Sequence, residues 1–285
     1  MREVLLVIFA VISYQSSAQI TSGTVIVLNF TEDKLIVAAD SRGSHINRDR
    51  PPDDSQCKLA QFNHKLLFAS TGAAGYIRRD TRDTTPGWEN TVVARDAVRE
   101  TFKRQHGKID IESASAAWAQ KLISNWSVLY GNNRPLVIKA AEAGHGVITA
   151  GFFAQAKKSK IAWILALITF DSSRAQPISA LPVYELSFCW PCGQTTGHKI
   201  CAGGEVAAAT QFCSELDSQK ATVKGMRSQQ SGWTAEEILP FRVAKMAAAC
   251  DLNGTIGGPI DAIEITTSGT IRWLRRKCNC PENTN

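Results

Sequence analysis

The sequence predicts an α+β fold in which two packed sheets carry helices on their outer sides. Three observations predict it. Strand-length apolar runs open the chain, two long amphipathic helical stretches follow, and further strands, a helical stretch and a closing hairpin complete it. Strands and helices segregated along a chain in this order belong to layered α+β architectures, and the layer argument alone leaves several such folds open.

The elements follow in order. Val25-Ile26-Val27-Leu28 and Leu35-Ile36-Val37-Ala38-Ala39 flank Thr31-Glu32-Asp33-Lys34, the pattern of a β-hairpin. The second strand ends in a carboxylate, a hydroxyl and a guanidinium: Asp40, Ser41 and Arg42. Residues 43–56 are charged and hold Pro51-Pro52, so they read as a loop. Residues 66–71 form a third strand, and the small-residue run from Gly72 to Arg79 reads as a helix start. Thr84-Thr85-Pro86-Gly87 has turn composition. Stretches 92–104 and 111–129 place apolar residues at helical spacing, including Val98, Trp118, Leu122 and Trp126.

Stretches 135–138, 146–152 and 161–170 read as strands, the last two joined by a hairpin tip at Lys157-Lys158-Ser159-Lys160. Shorter strands follow at 177–190 and 199–201. Ala202-Gly203-Gly204 then turns into an alanine-rich helix over 205–216. A polar loop over 220–232 leads to Thr234-x-x-Glu237, a capping box that opens a helix through Cys250, with Pro240 as a kink. After Gly257-Gly258-Pro259 a strand runs to Thr266, turns at Thr267-Ser268-Gly269 and returns over 270–274.

The 285 residues suit one large domain or two small ones, and 44% hydrophobic residues supply a substantial core. The net charge of +6 comes from scattered Lys and Arg interleaved with Asp and Glu. That is a solvated mixed surface and not a nucleic-acid footprint, so no nucleic-acid partner is expected. Residues 1–18 carry Arg2, an apolar core over 4–14 and the small-residue site Ser16-Ser17-Ala18, the layout of a secretory signal peptide. The run is short for a membrane span, so the expectation is export with no membrane attachment after cleavage; an uncleaved pro-segment or buried strand is the alternative.

Eight cysteines behind such a segment favour disulfides of unread pairing. Cys189, Cys192, Cys278 and Cys280 have spacings that a zinc ion also accepts, but an oxidising compartment opposes that use, and neither metal nor cofactor is expected. Asn29, Asn125 and Asn253 head glycosylation sequons, of which Asn29, inside a strand, is a poor acceptor.

One set of spacings carries chemistry. Gly23 precedes Thr24, Asp40 lies sixteen residues further on inside Ala38-Ala39-Asp40-Ser41-Arg42, and Gly72 lies fourteen residues after Lys58. Asn63 falls between them, and a Gly-Gly turn follows Asp251 before the last strand pair. This pattern resembles the proteasome subunit family of N-terminal nucleophile (Ntn) hydrolases, over most of the chain after residue 23. The resemblance selects a four-layer αββα sandwich among the α+β folds. It implies a propeptide over 19–23, a domain over 24–276, and a tail over 277–285. It also implies a peptide or protein substrate, threonine-type proteolysis and homo-oligomerisation.

A threonine hydroxyl is a weak nucleophile that needs a base, and a freed α-amine, with an ordinary pKa of about 7.7, is suited to that work near neutrality. The resemblance implies that Thr24 is the nucleophile, that Asp40 holds Lys58, and that Lys58 keeps the field at the hydroxyl positive. It gives the oxyanion to the N–H of Gly72, and the orientation of the threonine and its amine to Asp251. Taken singly, each residue has a plainer reading. Thr24 is a strand residue, Asp40 a strand-end cap or a partner of Arg42, Lys58 a surface lysine and Asp251 a helix-end turn residue. Only their mutual spacing makes one site of them.

The chain also departs from the family pattern. Val25 stands where a small hydroxyl residue is usual, the loop from Asp40 to Lys58 is two residues longer, and Ala202-Gly203-Gly204 and Ile256 replace hydroxyl positions. These departures favour the second reading, a catalytically silent structural or binding protein on the same fold. A zinc-stabilised binding module using the cysteine pairs is a third.

Overall fold

A computed structural model describes residues 19–22, 24–45, 51–77, 85–186, 192–195, 198–204, 240, 244 and 256–277. Over these residues the fold is mixed α+β, with three antiparallel sheets and three helices described along their length.

The largest sheet grows from the N-terminal hairpin. β1 (Gln19–Ser22) precedes β2 (Val25–Phe30) and β3 (Lys34–Asp40), and the last two pair in the register Leu28 opposite Val37. The turn between them is closed by the Thr31 N–H, which donates to the Lys34 carbonyl at 2.9 Å. β4 (Ser44–His45), β5 (Leu59–Phe62), β6 (Leu66–Gly72), β7 (Gly75–Ile77) and β8 (Trp88–Glu89) follow.

Three helices then run consecutively: α1 (Asn90–Arg104), α2 (Ile111–Asn132) and α3 (Arg134–Ala143). Asp110 caps α2 by accepting from the Ser113 N–H, and Lys103 and Arg104 face the negative end of α1's dipole. The chain continues through β9 (Val147–Lys157), β10 (Lys160–Phe170), β11 (Ile178–Val183), β12 (Cys192–Thr195), β13 (His198–Gly204), β14 (Ile260–Thr266) and β15 (Ile271–Arg275). Lys158 and Ser159 adopt positive φ at the β9–β10 tip, as a two-residue hairpin turn requires.

A six-stranded sheet has the order β12-β13-β2-β3-β14-β15, a five-stranded sheet the order β11-β10-β9-β6-β5, and a four-stranded sheet the order β4-β1-β7-β8. One core cluster joins the two larger sheets face to face through Leu28, Val37, Ile263, Leu67, Phe152 and Leu165. A second lies between the five-stranded sheet and the helices, where Phe68, Trp118 and Phe153 pack with ring centroids 4.9–5.8 Å apart. Alternation along the strands sends successive side chains to the two clusters. Full burial of such a large apolar side chain contributes about 1.5–3 kcal/mol, so the cores dominate the fold's stability.

Three sequence expectations fail here. Residues 135–138 are helical, within α3: Asn133 caps the helix by accepting from the Leu136 N–H, and Pro135 occupies its first turn. Proline there loses no helical hydrogen bond, so the short apolar run is a helix face and not a strand. The run after Gly72 is not a helix start: Gly75–Ile77 is a strand between β1 and β8. It is held extended by Asn90, whose N–H donates to the Ala74 carbonyl and whose Nδ2 donates to the Ala73 carbonyl, each at 2.8 Å. Ala202-Gly203-Gly204, read as a turn, completes β13. The signal segment, the loop over 220–232 and most of the helix beginning near Thr234 lie outside the described residues. Of that helix Pro240 and Ala244 are described, both helical and both buried.

Candidate functional site

Four of the five residues singled out by spacing come together at one end of the two large sheets. Asp40 is the last residue of β3, where the strand stops and side-chain oxygens meet loop N–H groups. Its Oδ1 accepts from the Val25 N–H at 2.9 Å and from Lys58 Nζ at 3.1 Å. Its Oδ2 accepts from the N–H groups of Arg42 at 3.2 Å and Gly257 at 3.0 Å. Four donors on one buried carboxylate compensate for its removal from water.

Lys58 stands just before β5 and is only 2% exposed. Its Nζ also donates to the Arg42 carbonyl, so the ammonium has two fixed acceptors. Burial pushes its pKa down to about 8, against the opposing pull of the Asp40 carboxylate. A lysine there loses its proton at about 8 instead of its ordinary 10.5.

Thr24 is buried and directly precedes β2. Its carbonyl accepts from Thr71 Oγ1 at 3.2 Å, while the next peptide N–H, that of Val25, is held by Asp40. Thr24 is thereby pinned between the end of β3 and the end of β6. Gly72 closes β6 at φ +83°, and a Cβ there would lie 2.7 Å from the Ile148 carbonyl oxygen. Both the dihedral and the close approach call for glycine. Asp251 lies outside the described residues. Pairing of β13 with β2 sets Gly204 opposite Val25 and Gly203 opposite Ile26, so glycines and not hydroxyl side chains flank this end of β2.

Sequence reasoning missed three parts of the surroundings. The Arg42 guanidinium holds Asp54 through Nε at 2.7 Å and Nη2 at 3.1 Å, and this bidentate contact draws the Asp54 carboxyl below its usual range. Gly257 supplies an N–H to Asp40, and its carbonyl accepts from the N–H groups of Ser41 and Arg42. Lys277, assigned by sequence to a tail, reaches back to Asp261 and to the carbonyl of Gln56. The adjacent acids Asp53-Asp54, and an aspartate in the otherwise apolar start of β14, were the available signals.

A cavity of about 350 Å³ opens beside Lys58. Ala60, Ser70, Gly75, Trp88 and Glu89 are among its walls. Next to it β1 lies between β4 and β7, with Thr21 opposite both His45 and Gly75. The segment that precedes Thr24 thus fills a strand-shaped slot leading to the site. Among the described residues no group of three or more His, Cys, Asp or Glu side chains could hold a metal ion. Cys189, Cys278 and Cys280 lie outside the described residues.

Neither a scan against protein-family models nor a search of curated proteins gave a match to this chain.

Proposed function

We propose that this chain is an exported, threonine-type hydrolase of the proteasome-like Ntn class, cleaving peptide or amide bonds through Thr24 once the Gly23–Thr24 bond is cut. The observation that carries the reading is the Asp40 carboxylate, shared between the Val25 N–H and Lys58 Nζ. It joins in one buried cluster Asp40, Lys58 and the peptide link after Thr24, three of the five positions that the spacing had selected.

The chemistry follows from these groups. The freed α-amine of Thr24 takes the Oγ1 proton, directly or through water, and Oγ1 attacks the substrate carbonyl carbon. The oxyanion is met by the N–H at Gly72, a contribution often worth about 3 kcal/mol. Collapse expels the amine of the cleaved bond, which receives the proton, and leaves an acyl ester on Thr24. Water, activated by the same α-amine, then releases the acid. Lys58 keeps the field at Oγ1 positive, and Asp40 keeps Lys58 in place. Removal of β1 would bare the β4 and β7 edges, where an extended peptide adds as a strand, with the cavity beside Lys58 taking one side chain.

The αββα sandwich belongs to the same proposal. Its support is that Val27, Ile36, Ala38 and Ala262, which alternate with the inter-sheet residues, are themselves buried on the outer face of the six-stranded sheet. A further layer over that face would bury them. Homo-oligomerisation is part of the reading, and a gel-filtration mass equal to the monomer would remove it.

A second reading, a silent binding protein of the same fold, is favoured by the glycines opposite Val25 and Ile26. The deciding experiment is the intact mass and N-terminal sequence of the secreted chain, with labelling by a threonine-directed electrophile. A chain beginning at Thr24, labelled in wild type and not in T24A, is the expected result. A chain beginning near Gln19 that takes no label would replace the hydrolase reading with the silent one.

A further inference from the structure

A second buried ion pair stands behind the first. Asp261 is the second residue of β14, opposite Ala39 and one register step from Ile260, which lies opposite Asp40. Its side chain shares the inter-sheet face with Ile263 and Ile265, a place where a lone carboxylate is costly. Its partner comes from beyond the last strand. Lys277 Nζ lies 3.3 Å from Asp261 Oδ2, the Lys277 N–H donates to Oδ1 at 2.8 Å, and the two side chains are 10% and 3% exposed. The same Nζ donates to the carbonyl of Gln56, two residues before Lys58.

We infer that Lys277, anchored by Asp261, is a positioning residue for Lys58: the pair ties the strand end at Arg275 to the loop entering β5 and fixes where the Lys58 ammonium sits. This rests on the reading of Lys58 as the working ammonium of the site. The alternative, a mere staple for the chain end, would need no contact with Gln56. The contact with that carbonyl places the latch on the segment whose path decides whether Lys58 Nζ reaches both Asp40 and the Arg42 carbonyl.

The charges agree with the geometry. Around Lys58, Asp40 and Asp54 hold its proton on, Lys277 pushes it off, and the Arg42 guanidinium is neutralised by Asp54. Around Lys277, Asp261, Asp40 and Asp53 favour the charged form, while burial is the largest effect and opposes it. Burial likewise raises the Asp261 carboxyl, against the pull of Lys277 and Arg275. Removing the Lys277 charge therefore raises the pKa of Lys58.

The test is a titration of lysine Cε signals by NMR in the full mature chain, with K58R assigning the Lys58 signal. Wild type should titrate at about 8. K277M should move that midpoint upward through loss of the Lys277 charge. It should also shift the Lys58 Cε signal at about pH 6, where the ammonium is charged in both chains, because its seat changes. K277R should restore both. A Cε signal unmoved at that lower pH would leave a charge effect without positioning and overturn the inference. If K277M fails to fold, the D261N/K277M double variant removes both buried charges together and carries the same measurement. A Lys58 midpoint unchanged in the charge-removed variant overturns the inference. The readout is independent of hydrolysis. If Thr24 takes no electrophile while the midpoint and the charged-state signal both move, the hydrolase reading falls and the latch stands. If Thr24 is labelled and the midpoint does not move, the latch alone falls.

Discussion

Asp40 Oδ1 and Lys58 Nζ lie 3.1 Å apart with side chains that are 0% and 2% exposed, but the two residues depend on each other unequally. Asp40 has three further donors, the N–H groups of Val25, Arg42 and Gly257. The Lys58 ammonium has Asp40 as its carboxylate contact and the Arg42 carbonyl beside it. The carboxylate is the hub on which β2, β3, the turn at Gly257 and Lys58 converge. The lysine is its dependant.

That inequality sets an order of damage. D40N keeps the shape, but an amide has one acceptor oxygen, and its NH2 must face N–H groups that now lack an acceptor. Lys58 is also left as a buried cation without its carboxylate. We expect a loss of about 3–5 kcal/mol in urea unfolding. K58M fills the same volume, leaves Asp40 with its three backbone donors and removes the cost of burying the ammonium, which offsets the lost contact, so little or no loss is expected near neutral pH. K58M measured as the more damaging change would show that the lysine, and not the carboxylate, organises the cluster.

A pH dependence follows from the same burial. Lys58 loses its proton at about 8 in the folded chain, against 10.5 as its ordinary value. Between these two pH values the unfolded chain binds the proton and the folded chain does not. Stability therefore rises with pH across that window. The group destabilises the fold below pH 8, and the penalty, on the order of 3 kcal/mol, is relieved as pH approaches 10.5. Urea midpoints from pH 7 to 10.5 for wild type and K58M measure it. The wild-type minus K58M difference should climb with pH, and a flat difference would place the Lys58 pKa near its ordinary value.

How far all this was legible depends on the distance over which each signal acts. The β2–β3 hairpin was readable because four turn residues and two β-branched runs declare themselves within sixteen positions. Helix α2 was readable because its apolar face repeats for six turns, whereas α3 was misread. Its decisive marks, Asn133 as cap and Pro135 in the first turn, are local, and a four-residue apolar run looks alike on a helix and a strand. The strand at Gly75–Ile77 was invisible for the opposite reason: it exists through partners at Gln19–Thr21 and Trp88–Glu89. In the site, Thr24, Asp40 and Lys58 were reached by spacing. Lys277 was not, because no periodicity links it to Gln56, 221 positions earlier.

Gly72 offers the sharpest separation between strain and function. G72A adds a Cβ at φ +83°, which costs an L-residue about 1–2 kcal/mol, and sets it 2.7 Å from the Ile148 carbonyl oxygen. Relief requires the end of β6 to move away from β9, and Thr71, which holds the Thr24 carbonyl, moves with it. Gly107 is the control. It has φ +87°, but its nearest neighbour to an added Cβ is Phe102 Cζ at 3.7 Å, an ordinary contact. G107A should therefore lose only the dihedral cost and leave the rate of Thr24 acylation unchanged. G72A should lose more stability and slow acylation by roughly 100-fold, the loss typical of an oxyanion donor out of place. Urea midpoints and electrophile-labelling rates on the two variants, side by side, decide it. Equal labelling rates would detach Gly72 from the oxyanion and leave it a role in backbone geometry alone.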